Sequence, residues 1–238
     1  MKTDRQSTSE ELSGSQARPL QLTLAVVLQV RTGALQVLLW QRARPPFEGL
    51  WALPGGLLAS AETLEESIRR HLAAKVDVRE LAHLEQLETL SDPGRNPLAR
   101  ELATAYLGLV PRDADPHVPE DTRWHPVDRL PAMAFDHGAI VLAGRERLRG
   151  KLSYTTIGFA LAPESFTLAE LREIYVAALG HDVSATNLKR VLLRRGALVT
   201  TGTVREPGRA GGRPAQVYRY RERRLEITDP FAALRPPA

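Results

Sequence analysis

The spacing of apolar positions changes several times along the chain, and each change marks an element. Residues 21–30 and 35–41 are rich in leucine and β-branched residues, and Arg31-Thr32-Gly33-Ala34 parts them, so they predict a hairpin. Pro45-Pro46-Phe47-Glu48-Gly49 interrupts the pattern as a loop. Leu64, Ile68 and Leu72 then recur every fourth residue, the buried stripe of a helix that Ser60 is placed to cap. Strand patterns return over 81–90 and 102–110, on either side of the turn-rich Ser91-Asp92-Pro93-Gly94-Arg95-Asn96-Pro97. A helix is expected from about 136 to 152, leading into a linker.

The second half has a different rhythm. Thr167 and Glu170 form a capping box ahead of a helix that runs to about Leu179, with Leu168, Leu171, Ile174 and Tyr175 on its apolar face. Gly180-His181-Asp182-Val183 makes a short turn, and Ser184 caps a second helix whose stripe is Leu188, Val191 and Leu192. Gly196 stands just past its end, where a left-handed residue is favoured. Two strands, 198–204 and 215–221, flank a Gly- and Arg-rich loop at 205–214. Helix, short turn, helix and a hairpin with a basic tip is a winged helix-turn-helix pattern. The expected organisation is a disordered polar tail over 1–18, a first domain over 19–152 and a second over 153–238.

Composition narrows the function classes. The chain has no cysteine, which excludes disulfides, thiolate zinc sites and cysteine catalysis and fits a reducing cytoplasm. No apolar run approaches the roughly 18–20 residues of a membrane helix, and no signal pattern opens the chain. A cytoplasmic protein without membrane association is expected. The net charge of +4 is unevenly spread: residues 185–224 hold eleven Lys and Arg against two Glu, a surplus of nine, which leaves −5 on the remainder. A polyanion should therefore meet one end of the molecule.

Double-stranded DNA is that polyanion in this reading. The polar face of the second helix offers Thr186, Asn187, Lys189, Arg190, Arg194 and Arg195. Asparagine suits adenine and arginine suits guanine in the major groove, while the other cations suit phosphates. Arg209 and Arg213, among the wing glycines, are candidates for the minor groove or the sugar-phosphate backbone.

The first domain carries a phosphate-handling signature. The stretch from Gly55 to Val78 resembles a Nudix box, G-x5-E-x7-R-E-U-x-E-E-x-G-U with U aliphatic, and Gly56, Glu62, Arg70, Leu72 and Val78 match in register. Trp51-Ala52-Leu53-Pro54-Gly55-Gly56 before it, with Trp124-His125-Pro126-Val127 and Leu130-Pro131 later, continues the resemblance. His71, Ala74 and Lys75 replace the three glutamates after the arginine, and Asp77 replaces the second glycine. Their i, i+3, i+4 spacing puts positions 71, 74 and 75 on one helix face. In active members of the family, that face holds divalent metal with carboxylates, and magnesium requires hard oxygen ligands. The resemblance implies an α/β/α sandwich with a mixed sheet, a Glu62–Arg70 pair tying loop to helix, and a cradle for a nucleotide diphosphate without metal or catalysis. Arg42, Arg70, Arg95 and Arg100 would face the pyrophosphate, Gly55 and Gly56 would let backbone approach it, and Trp51 would either stack on a base or ribose or belong to the core. The six histidines show no metal-ligand spacing, and no cofactor motif is present.

With Ser153-Tyr154-Thr155-Thr156-Ile157-Gly158-Phe159-Ala160-Leu161 and the segment from Gly211 to Tyr220, the two-domain order is similar to the Nudix-related transcriptional regulators of NAD metabolism over roughly 19–224. That resemblance implies a homodimeric repressor that binds palindromic operators and responds to ADP-ribose or a related nucleotide. The competing readings are a Nudix hydrolase working through Glu62, Glu65, Glu66 or Glu101 with a nucleic-acid-binding tail, and a scaffold that binds RNA or an acidic protein.

Overall fold

The computed structural model describes residues 18–206 and 214–229; the expected tail, apart from Arg18, and the wing tip with Arg209 and Arg213 lie outside the described residues. The central element is β1 (Leu20–Arg31). It turns at Thr32 and Gly33, both at positive φ (48° and 77°), into antiparallel β2 (Ala34–Gln41). Positive φ at both central residues is the hairpin turn whose twist matches the strands. The short strands β3 (Trp51–Ala52) and β4 (Gly55–Leu57) add to β2 and β1. After α1 (Leu64–Val76) come β5 (His83–Leu90), β6 (Glu101–Leu109) and β7 (Thr122–Pro126). The sheet runs β3-β2-β1-β6-β5, with β7 on β2 and only the β1–β6 pair parallel among those joined to β1.

The apolar alternation of β1 explains the layers. Leu24, Val26 and Leu28 face one side, where α2 (His137–Tyr154) brings Ile140, Val141 and Leu148. Ala25 and Val27 face the other, against Ile68, Leu72 and Val76 of α1. A strand with both faces covered loses its polar face, and the sandwich expected from the sequence results. The cap of α1 is Thr63, not Ser60. Thr63 and Glu66 form a reciprocal capping box, with Thr63 N donating to Glu66 Oε2 at 2.7 Å. Ser60 stands three residues too early for that bond.

The expected linker after residue 152 is instead buried structure. Helix α2 continues to Tyr154, and a 3-10 turn over Ile157–Ala160 follows with all four residues buried. It leads into β8 (Phe166–Thr167), α3 (Leu168–Leu179), α4 (Ala185–Arg194), β9 (Leu198–Arg205) and β10 (Ala215–Tyr220). The small sheet has the order β8-β10-β9. The Thr167–Glu170 box, the Ser184 cap and Gly196 at φ 66° stand where the sequence places them. One apolar cluster runs without a break from β1 and α2 through Ile157 and Phe159 to Phe166, Ile174, Leu188 and Tyr220. No helix among the described residues is long and apolar enough to cross a membrane.

Gly158 marks the tightest point of that continuous core. A Cβ there would lie 2.3 Å from Tyr220 Oη and 2.7 Å from Tyr175 Oη, two buried hydroxyls hydrogen-bonded to each other at 3.1 Å. Gly158→Ala is therefore expected to lower stability by about 1–3 kcal/mol through overpacking, read as a fall in the urea midpoint with an unchanged m-value.

Candidate functional site: a cationic cavity and a recognition helix

A cavity of about 950 Å³ opens beside β4 and α1, at the upper end of the range for small-molecule sites. Its wall is built in three pieces: the loop from Arg42 to Pro46, the backbone from Gly55 to Ala59, and the α1 side chains Arg70, His71 and Lys75. Glu62 fastens the second piece to the third. Its carboxylate accepts from Arg70 Nε at 2.8 Å and from Ala59 N at 2.7 Å. The Arg70 bond, then the Ala59 bond, hold its pKa down to about 2.

His71 and Lys75 project into this cavity and lie against β4. Nε2–H of His71 donates to Leu57 O at 3.0 Å, since a carbonyl can only accept. Lys75 Nζ donates to Gly55 O at 2.6 Å and sits 4.7 Å from the Trp40 ring centroid. Gly56 is what lets the imidazole lie so close: a Cβ there would meet His71 Cε1 at 2.5 Å. Burial lowers the pKa of both groups, and neighbouring cations lower it further: Arg70 and Lys75 around His71, Arg42 and Arg70 around Lys75. The Leu57 carbonyl, and more weakly Glu62, pull His71 the other way. Ala74 does not join this face. It is exposed beside Asp77 and Arg79, because one residue of α-helix turns it about 100° away from Lys75. Neither an ammonium nor a buried imidazole suits magnesium, so the donor set does not fit the metal of active Nudix enzymes.

Arg42, Gly55, Gly56, Arg70 and Arg95 line the cavity as expected, but Arg95 is already neutralised. Its buried guanidinium pairs with Asp136 at 2.8 Å and Glu101 at 3.2 Å, and Asn96 Nδ2 donates to the other Glu101 oxygen at 2.6 Å. Arg100 lies off the wall and donates to Ser91 O at 2.8 Å. Trp51 is also absent from the lining: it pairs with Gln41 in the sheet and meets His125 edge-on at 4.3 Å. The aromatic rings that do line the cavity are Trp40 and Phe135, and Arg42 stacks over Phe135 at 4.8 Å. Sequence reasoning missed Trp40, Arg44, Phe135 and His137. Only Trp40 carries a signal, its place at the end of an apolar strand next to Arg42.

On the second unit, Thr186, Asn187, Arg190 and Arg194 are exposed on α4 while Leu188 and Leu192 are buried. Arg190 Nη2 donates to Asn187 Oδ1 at 2.7 Å, so these two candidates act as a pair. Lys189 folds over Tyr218 at 5.6 Å from the ring centroid. Much of the rest of the basic block has structural partners. Arg195 pairs with Asp229 at 3.5 Å, Arg205 with Glu170, and Arg224 with Glu226 at 2.8 Å. Arg221 donates to Gly196 O at 2.9 Å, and Arg223 caps the carbonyls of Phe159, Ala162 and Pro163.

Comparison with known proteins agrees with both halves. Residues 19–143 match the NUDIX domain family, and residues 158–220 match the NrtR DNA-binding winged helix domain. The ADPR responsive transcriptional repressor NtrR of Acinetobacter baylyi is 32% identical over 209 residues, covering 85% of this chain and 82% of that protein. Shewanella oneidensis NrtR complexed with a 27mer DNA superposes with a TM-score of 0.74 at 31% identity, covering 84% of this chain and 93% of that one. The NUDIX domain of the same Shewanella protein, complexed with ADP ribose, is 34% identical, with a TM-score of 0.50, covering 55% of this chain and 89% of that one.

His137, on the cavity lining, generates a pH prediction. Its Nδ1 accepts from Leu53 N at 3.0 Å, and burial holds its pKa down to about 3. The folded state thus keeps it neutral, while the unfolded chain protonates it below the ordinary 6.5. Stability from this group is present above pH 6.5 and falls as the pH drops from there toward 3, by up to about 1.4 kcal/mol per unit. His137→Gln, which can still accept from Leu53 N, is expected to flatten that slope in urea titrations between pH 7.5 and 5.

Proposed function

Because this chain belongs to the Nudix family and carries a winged helix of the NrtR type, we propose that it is an ADP-ribose-responsive transcriptional repressor without hydrolase activity. The observation that carries the reading is the union of two features on one core. A cation-lined cavity and an exposed Asn187–Arg190–Arg194 helix face hang on the same apolar cluster. Binding energy at the first can therefore bias the geometry of the second.

The carboxylates that a hydrolase would need are engaged elsewhere. Glu62 holds Arg70, Glu65 pairs with Arg69 at 2.9 Å, Glu66 closes the α1 capping box, and Glu101 holds Arg95 and Asn96. Glu62, Glu66 and Glu101 are thus tied into the structure at the cavity's edge, and Glu65, exposed in its pair with Arg69, does not line the cavity. Magnesium-dependent turnover of ADP-ribose is expected at background level in a single-turnover assay. A rate within the usual enzymatic range of about 1–1000 per second would reverse this reading.

The DNA reading separates base contacts from phosphate contacts. Asn187→Ala or Arg190→Ala is expected to weaken operator binding by about 1–3 kcal/mol and relax sequence preference. Because the two side chains are bonded to each other, the double variant should fall short of the sum. Arg213→Ala should weaken all sequences evenly and reduce the salt slope. A twofold-symmetric dimer would place half-sites about 10 base pairs apart, or a multiple of that. Footprinting across several salt concentrations checks all four outcomes. An unchanged footprint and affinity would remove α4 as the reading helix.

A further inference from the structure

The cavity holds more positive charge than the protein neutralises. Of the cations on its wall, Arg70 is held by Glu62, and Arg95 by Glu101 and Asp136. Arg42, Arg44 and Lys75 form no ion pair among the described residues. Glu101 is the one carboxylate among the lining residues, and it is committed to Arg95 and Asn96. Lys75 is the most confined of the three. It is half-buried, anchored to Gly55 O and backed by Trp40, and an ammonium that makes one such bond keeps two further donors.

We propose that Lys75, with His71 and Arg42 beside it, supplies from within the chain the positive charge that divalent metal supplies in catalytic Nudix proteins, so that the cavity takes a diphosphate group without metal. This deepens the effector-binding reading above and rests on it for the identity of the ligand. The substitution of lysine and histidine for glutamate then has two effects. It removes the metal site, and it turns the same wall from an acceptor of cations into an acceptor of anions. An anion needs no relay through a divalent ion when a fixed ammonium and guanidinium already face it. Arg42 and Arg70 lie close enough to Lys75 to act on its charge, and a negative group placed between them would offset that repulsion. His71, whose ordinary pKa lies near neutrality, should bind a proton more readily once that guest is in place. Binding should therefore draw protons from solution, counted from calorimetry in buffers of different ionisation heat. Besides each other, the charged groups acting on the pair are Arg70, Arg42 and Glu62.

The test is calorimetry of the full chain with ADP-ribose and, separately, inorganic pyrophosphate, in EDTA and in millimolar magnesium. Affinity is expected to be the same with and without metal, with net proton uptake near pH 7. Lys75→Gln should weaken both probes by at least about tenfold, whereas Lys75→Arg should stay within about threefold of wild type. Magnesium raising wild-type affinity about tenfold or more would overturn the proposal. So would equal losses in Lys75→Gln and Lys75→Arg, which would mark packing against Trp40 rather than charge. If pyrophosphate binds and depends on Lys75 while ADP-ribose gives no heat, the effector reading falls and the charge site stands. If neither probe binds, the charge site falls as well.

Discussion

Burial of β1 on both faces is the constraint on which the molecule depends. A strand covered on two sides has no polar face, and its backbone must bond at both edges. It does so with β2 and β4 on one edge and β6 on the other. The β4 edge positions the Gly55 and Leu57 carbonyls that hold Lys75 and His71. The face that carries Val26 receives Gly144 of α2 so closely that a Cβ there would lie 2.8 Å from Val26 Cγ1. Helix α2 then leads into the buried turn at Ile157–Ala160 and the second unit. Cavity and reading helix are thus two outgrowths of one strand.

Much of the architecture was legible because it rests on local rules. The Thr32-Gly33 turn, the Thr167–Glu170 box, the Ser184 cap and Gly196 are short-range signals that long-range packing does not contradict. The α1 cap differs from the expected Ser60 although its signal is equally local: Ser60 and Thr63 are both good capping residues, and only Thr63 has a glutamate three residues on to close the reciprocal bond one residue before Leu64. The linker was misread for a different reason. Residues 153–161 mix Ser153, Thr155, Thr156 and Gly158 with Tyr154, Ile157, Phe159 and Leu161 in no helix or strand period, and only the three-dimensional neighbours of Ile157 and Phe159 show that they are core.

The site was legible in its chemistry and less so in its membership. The Nudix spacing identifies α1 and the Gly55-Gly56 backbone, but says nothing of which arginines remain unpaired. Arg95 and Arg100 look alike in sequence; one is locked between two carboxylates and the other lies off the wall. Phe135 and His137 enter from a segment 57 and 59 residues beyond the motif's last position, Val78, through a contact no spacing rule anticipates. The charge block behaves in the same way. A surplus of nine looks like a nucleic-acid surface, yet Arg195, Arg205, Arg221, Arg223 and Arg224 each have a partner within the second unit, and the outward-facing cations of α4 are fewer than the count suggests.

The unbroken apolar cluster bears on modularity. A winged helix that could be transplanted would need its own closed core. Here Arg112 beyond β6 pairs with Glu173 of α3 at 2.8 Å and bonds Leu161 O through its backbone, and Arg149 of α2 reaches Ala178 O at 3.4 Å. Severing the chain after residue 152 would leave Ile157, Phe159 and the inner side of α3 facing water. The second half keeps its core closed only while the first half serves as its floor. Exchange of one half alone would have to carry this seam with it.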